Sequence, residues 1–236
     1  AIHDAFRVTD EELMTQLRIG RPRSRTNSGD LDSTRAYQLS AGCVGCVALI
    51  RGSRIYAANL GDCRAVLCCN GEFISMTVDH RPEGNEAERE RLEQLGVEVS
   101  NDGYLHGRIG VSRAFGDWAW DAEEKCRGIL CQPDVTEAEV TEETEFLLLA
   151  CDGIFEKMTS KEAGQIVRRR LRSSPDAKSA AETLIKHASK RNGSDNLSAV
   201  VVLFKAPACE VERTAPRFRL SMPLEPDEAP TAPAES

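Results

Sequence analysis

No apolar run in this 236-residue chain approaches the roughly 18 residues that a membrane-crossing helix needs, so a membrane partner is not expected. Positive charge is in short supply. The formal net charge is -8, which would on average repel phosphate backbones, so nucleic acid is not expected as the main partner either. A Gly-rich loop ending in Gly-Lys-Ser/Thr is missing, and with it the phosphate cradle of a Walker-type nucleotide site. Cys43-Val44-Gly45-Cys46 has the spacing of a metal-ligand pair, but no second pair follows at a matching distance. Strand alternation also sets its two sulfurs on opposite faces, so zinc is not expected there. The nine cysteines are an odd set, and Cys46, Cys68, Cys69 and Cys151 lie inside apolar runs as small hydrophobes. We read them as reduced thiols of an intracellular protein, cytoplasmic or nuclear.

What is present is the composition of a globular protein, 41% hydrophobic and 29% charged, with length for one sizeable core. The stretch around which the chain is organised runs from Phe146 through Leu147, Leu148, Leu149 and Ala150 to Cys151-Asp152-Gly153. An apolar run of this length with turn chemistry behind it reads as a strand buried on both faces, although period alone leaves a helix segment open. Asp152 then stands at the strand tip, and Gly153 permits a close backbone approach. Gly193-Ser194-Asp195-Asn196 precedes a second apolar run, Leu197 to Phe204, in mirror order. Antiparallel pairing of the two strands would bring Asp152 and Asp195 together at one end of a sheet.

Elsewhere the pattern alternates between helices and short strands. Thr9-Asp10-Glu11-Glu12 has capping-box spacing and predicts a helix over 9–18, with Phe6 as its hydrophobic staple. Arg18 to Gly29 reads as a basic surface loop, either a solvated linker or a docking or phosphorylation site, since Arg25 lies three residues before Ser28. Strands are predicted over 44–50, 55–59, 64–69 and 72–78, with Asn70-Gly71 as a hairpin turn. They form a meander in one sheet or the edges of two. Asp62 falls in the turn between the second and third strands, where Gly-Asp is also ordinary turn chemistry. Residues 86–95 predict a charged, largely exposed helix anchored by Leu92 and Leu95 and ended by Gly96.

Residues 97–140 are irregular and rich in glycine, a mark of functional loops. Within them Arg113 and Asp117 are four apart, which suits a structural ion pair. Asp134 to Val140 offers a strand. Thr159 caps a helix whose Arg168, Arg169, Arg170 and Arg172 read as a solvated face, and Ser174-Pro175-Asp176 starts another with an alanine-rich stripe. Six of the ten prolines lie beyond Lys205, so 207–236 reads as a proline-rich disordered tail. Three aspartates, Asp62, Asp152 and Asp195, thus lie at strand ends with no histidine at ligand spacing. Oxygen-only ligation suits Mg²⁺ or Mn²⁺ and, with two metals, phosphate chemistry by an activated water.

Asn59-Leu60-Gly61-Asp62-Cys63-Arg64, Asp79-His80-Arg81-Pro82, Ser112 to Asp117, Ala150-Cys151-Asp152-Gly153-Ile154 and Ser194-Asp195-Asn196-Leu197-Ser198 follow one another in the order found in the metal-dependent protein phosphatase 2C family. The chain resembles that family over residues 5–205. The resemblance implies an α+β fold of two antiparallel sheets packed as a sandwich and flanked by helices, in four αββα layers. It implies a domain over 1–206, hydrolysis of phosphoserine and phosphothreonine in phosphorylated proteins, two Mg²⁺ or Mn²⁺ ions with a third weaker position, and a monomer. Asp152 and Asp195 match metal ligands of the main site, Asp62 the acid of the third position, and Asp117 a contributor to that position or its waters. The helix at 86–95 and the segment after it resemble the flap beside the family's cleft.

Two departures qualify the resemblance. The family's Asp-Gly-His-Gly-Gly, with its bridging aspartate, does not occur, so the domain is expected to be incomplete at its amino terminus and the chain by itself to be weakly active or inactive. A phosphatase-like module that binds or regulates without catalysis is the alternative. Where the family has Trp-Asp after Asp-Gly-Ile, this chain has Phe155-Glu156, which keeps the charge and lengthens its reach by a methylene.

Overall fold

The structure, a computed structural model, describes residues 1–19, 41–118, 125–191 and 195–207. The Arg25/Ser28 stretch and the proline-rich segment after Pro207 lie outside the described residues. In chain order the elements are α1 (Ile2–Ile19), β1 (Gly42–Cys43), β2 (Gly45–Arg51), β3 (Arg54–Leu60), β4 (Arg64–Cys69), β5 (Glu72–Ser75), α2 (Glu86–Gln94), β6 (Phe115–Gly116), β7 (Asp134–Glu139), β8 (Thr144–Ala150), α3 (Asp152–Phe155), α4 (Ser160–Ser173), α5 (Ala177–Arg191) and β9 (Ala199–Leu203). Antiparallel pairing builds one sheet in the order β2-β3-β7 and a second in the order β5-β4-β8-β9.

The period-2 alternation of the strands sorts their side chains into layers. On β4 and β8, Val66, Cys68, Phe146, Leu148 and Ala150 face α4 and α5, meeting Val167, Leu171, Leu184 and Ala188. The intervening Ala65, Leu67 and Leu147 face the other way and pack on Ile55 and Ala57 of β3. Ala58 and Leu60, on the outer face of β3, meet Phe6 of α1. The result is the expected four-layer order of helix, sheet, sheet, helix. Because β4 and β8 are buried on both faces, their sequences read as continuous apolar runs.

The four predicted strands divide between the sheets. Gly61 adopts φ +107°, and a Cβ there would lie 2.1 Å from Val44 Cγ1, so only glycine permits the crossover from β3 in one sheet to β4 in the other. Asp62 therefore sits where both sheets end. The last of these strands stops at Ser75 rather than Val78. The first helix also differs from expectation. It runs from Ile2, with Thr9 exposed in its interior instead of at a cap, because Phe6 is a core anchor stacked on Phe115 with ring centroids 5.2 Å apart. Tertiary burial of one face outweighs the local capping signal.

Candidate metal centre

The pairing of Ala150 with Ala199 sets the end of β8 beside the start of β9. Cys151 continues the clamp: its amide donates to the Ser198 carbonyl (3.2 Å), and its sulfur accepts from the Ser198 amide (3.2 Å). The two turns that follow are then in contact. A Cβ on Gly153 would lie 2.5 Å from the Asn196 carbonyl oxygen, so the missing side chain is what lets the 195–197 segment close on the first turn of α3. Each aspartate is steadied by its own turn. Asp152 Oδ1 accepts from the Gly153 amide (2.9 Å) and Asp195 Oδ1 from the Asn196 amide (2.7 Å), leaving the second oxygen of each free of these bonds.

Glu156 completes the group. It follows Asp152 by four residues, one helical turn, and its amide donates to the Asp152 carbonyl (2.7 Å), so both side chains share a face. Asp152, Glu156 and Asp195 each bring a carboxylate oxygen to within 4.8 Å of the others, and among the described residues they are the one group arranged to hold a metal. An all-carboxylate, mostly exposed donor set fits a hard divalent cation that keeps some of its water, and does not fit the softer ligation of zinc. Cys43 and Cys46 are outside this group, and the cysteines of the described residues are free thiols.

Asp62 approaches the same place from the crossover between the sheets. Burial, reinforced by the Asp152 charge, pushes its carboxyl up to about 6, and Arg81 works against that rise. The Arg81 guanidinium lies between the acids, with Nη1 at 3.1 Å from Asp62 Oδ2, 3.8 Å from Asp152 Oδ2 and 4.0 Å from Glu156 Oε1. Asp117 is placed elsewhere. It stands at the β1–β6 pair with φ +52°, its carboxylate against the Gly42 backbone, and the charges acting on it are those of Lys125, Arg108 and Asp10. Burial raises its carboxyl above the ordinary range.

A sequence profile of the family described as "Protein phosphatase 2C" matches residues 4–197. The chain belongs to the protein phosphatase 2C family. It is 39% identical over 191 residues to "Probable protein phosphatase 2C 57" of Oryza sativa subsp. japonica, covering 79% of this chain and 52% of that protein. It is 35% identical over 218 residues to "Probable protein phosphatase 2C 3" of Paramecium tetraurelia, covering 87% of this chain and 70% of that protein. The chain spans about half the length of the plant relatives it matches. In fold it is similar to the serine-threonine phosphatase 2C structure from Toxoplasma gondii, with a TM-score of 0.66 at 22% identity, covering 86% of this chain and 66% of that one.

The remaining motifs of this phosphatase 2C chain support the site from behind. Arg113 does not pair with Asp117 as its spacing suggests. It donates to Glu88 through Nε (3.1 Å) and Nη2 (2.6 Å) and to Asp134 through Nη1 (2.8 Å), because the chain turns at Gly116 and carries Asp117 away. Glu88, expected on an exposed helix, is buried and also bound by Arg91 (2.8 Å) and Ser112. Leu95, expected as an apolar anchor, is exposed; Leu92 is the buried apolar residue of the helix and packs against Val97 and Leu105, beside the buried Glu88. Burial opposes ionisation of Glu88, yet the bonds from Arg113, Arg91 and Ser112 prevail and lower its carboxyl to about 2.

His80 joins this network to the crossover: its Nδ1 accepts from the Gly61 amide (3.0 Å), which leaves Nε2 to donate to Asp134 (3.0 Å). Burial lowers the His80 pKa, consistent with that neutral tautomer. The arginine row on α4 is likewise not a uniformly solvated face, since Arg168 donates to both oxygens of Glu145 (2.6 and 2.7 Å).

Arg64 stands where the open side of the centre divides into clefts. Its Nε and Nη2 donate to the two oxygens of Asp79 (2.8 and 2.7 Å), and it lies 5.0 Å over the Phe155 ring. A cleft of about 340 Å³ lined by Arg64, Arg81 and Lys157 opens onto Asp152 and Glu156. Sequence reasoning missed Arg81 and Glu156 as members of the centre. The four-residue step from Asp152 was a legible signal for Glu156; nothing in Asp79-His80-Arg81-Pro82 showed which way Arg81 points.

Proposed function

We propose that the protein carrying this chain hydrolyses phosphoserine and phosphothreonine in phosphorylated proteins, using Mg²⁺ or Mn²⁺ held by Asp152, Glu156 and Asp195. The observation that carries this reading is the convergence of three carboxylates, from two separate segments, at the end of the doubly buried strand β8 in a phosphatase 2C chain. A divalent cation bound there supplies Lewis acidity and lowers the pKa of a water beside it. The chain's own residues do the rest. The Gly153 and Asn196 amides orient the two aspartates, and the cations Arg64 and Lys157 line the cleft through which a phosphoryl group would enter.

Asp62, which shares Arg81 with Asp152, is our candidate for the acid of a further cation position. The assignment of Asp117 to that position rests on the family resemblance. Free thiols and the net charge of -8 support an intracellular protein without a nucleic-acid partner, which we read as a monomer. A module that binds without catalysis is the less supported reading, since it gives no reason for three acids to converge at one point.

The test is phosphate release from a phosphothreonine peptide by the full protein with Mn²⁺. Release should cease with EDTA and fall at least about tenfold in Asp152→Asn. Peptide binding with no release by the Mn²⁺-loaded protein would establish the binding module instead.

A further inference from the structure

Three carboxylates close together repel one another, and proteins answer such clusters with a cation. In this structure the answer is already present as a side chain. Arg81 Nη1 reaches Asp62 at hydrogen-bond distance (3.1 Å) and stands within ion-pair distance of Asp152 (3.8 Å) and Glu156 (4.0 Å). Two of these three acids are also the candidate ligands. The same charge deficit is therefore met by two rival cations, one covalently part of the chain and one from solution.

We propose that Arg81 is a resident counter-cation of the centre, which a divalent ion must displace toward the cleft in order to bind. The inference rests on the metal-site reading given above, and concerns what sets the affinity of that site. Several features of the surroundings suit an exchange. The Arg81 backbone is fixed, its carbonyl accepting from the Gly84 and Asn85 amides (3.1 and 3.0 Å) at the entrance to α2, so displacement involves only the side chain. That side chain is partly exposed and lines two adjoining clefts, of about 580 and 340 Å³, so the guanidinium has open space to enter. Behind it lies Gly110, where a Cβ would be 3.6 Å from Arg81 Nη2. Arginine suits the resident role because its charge is permanent, and here a single nitrogen, Nη1, faces all three acids. A displaced guanidinium remains in the cleft, where it adds to the positive charge offered to an incoming anion.

The proposal makes cation affinity a difference between two bound states, so neutralising the competitor should strengthen binding. Mn²⁺ titrated by calorimetry into the full protein should bind at least threefold more tightly to Arg81→Gln than to wild type, and to Arg81→Lys about as in wild type. Asp195→Asn is measured alongside. If it binds Mn²⁺ as wild type does, the metal-site reading itself fails, and this inference with it. If Asp195→Asn is weakened while Arg81→Gln binds no more tightly than wild type, the metal site stands and the counter-cation inference is overturned. A second measurement needs no neutral variant: in wild-type protein the Arg81 side-chain NMR signal, assigned by its absence in Arg81→Lys, should shift on saturation with Mg²⁺. An unmoved signal would also overturn the inference.

Discussion

Gly153 shows how one missing methyl group governs the centre. With Asn196 O only 2.5 Å from the place a Cβ would occupy, Gly153→Ala forces the 195–197 segment away from α3 and takes Asp195 with it. We predict that Gly153→Ala destabilises the fold by about 1–3 kcal/mol in urea unfolding and weakens Mn²⁺ binding at least about tenfold. Retained affinity in a folded variant would mean that Asp195 is not held by this approach. At this scale the sequence was informative about Asp152, Asp195 and Gly153, because turn residues next to apolar runs identify strand ends. It was uninformative about Arg81 and His80, whose roles depend on neighbours from the β3–β4 crossover, α3 and β7, distant in the chain.

Among the elements, α2 differs most from its sequence pattern. Nine residues with few apolar positions read as a solvated helix, yet the helix is docked through one buried carboxylate. Charge patterning cannot distinguish an exposed glutamate from one that is matched by Arg91 and Arg113, because the second partner is 25 residues away. The folded pKa of Glu88, about 2, lies below its ordinary 4.5. A depressed carboxyl contributes stability that is full above the unfolded pKa and is lost as pH falls toward the folded one, so the window is about pH 4.5 to 2.

That shift corresponds to roughly 3 kcal/mol. Glu88→Gln should cost about that much at pH 7, with the gap to wild type in urea unfolding narrowing below pH 4.5. A gap independent of pH across that window would show that the charge of Glu88 is not what docks α2. The first helix carries a related lesson: Thr9-Asp10-Glu11-Glu12 has the letters of a cap, but Asp10 is buried and accepts from the Gly116 amide (2.8 Å) and Lys125 (2.8 Å).

For the whole molecule, the sequence pattern revealed individual strands, β8 above all as a strand buried on both faces, whereas the order of layers came from the family resemblance. The division of the four-strand run into two sheets was not legible in the pattern. It depends on the steric demand of Val44 at Gly61, a contact between residues 17 apart that no local pattern reveals. That division matters for function, because it brings the ends of β3, β4 and β8 to one rim, with Asp62 and Asp152 on it and Asp195 supplied by the approach to β9. The antiparallel β8–β9 pair at this rim makes Asp152, Glu156 and Asp195 one candidate cation site. Calorimetric Mn²⁺ titration of wild type, Asp152→Asn, Glu156→Gln and Asp195→Asn should find one site weakened at least about tenfold by each substitution, and unchanged affinity in any two of the folded variants would show that the three acids do not act as one site.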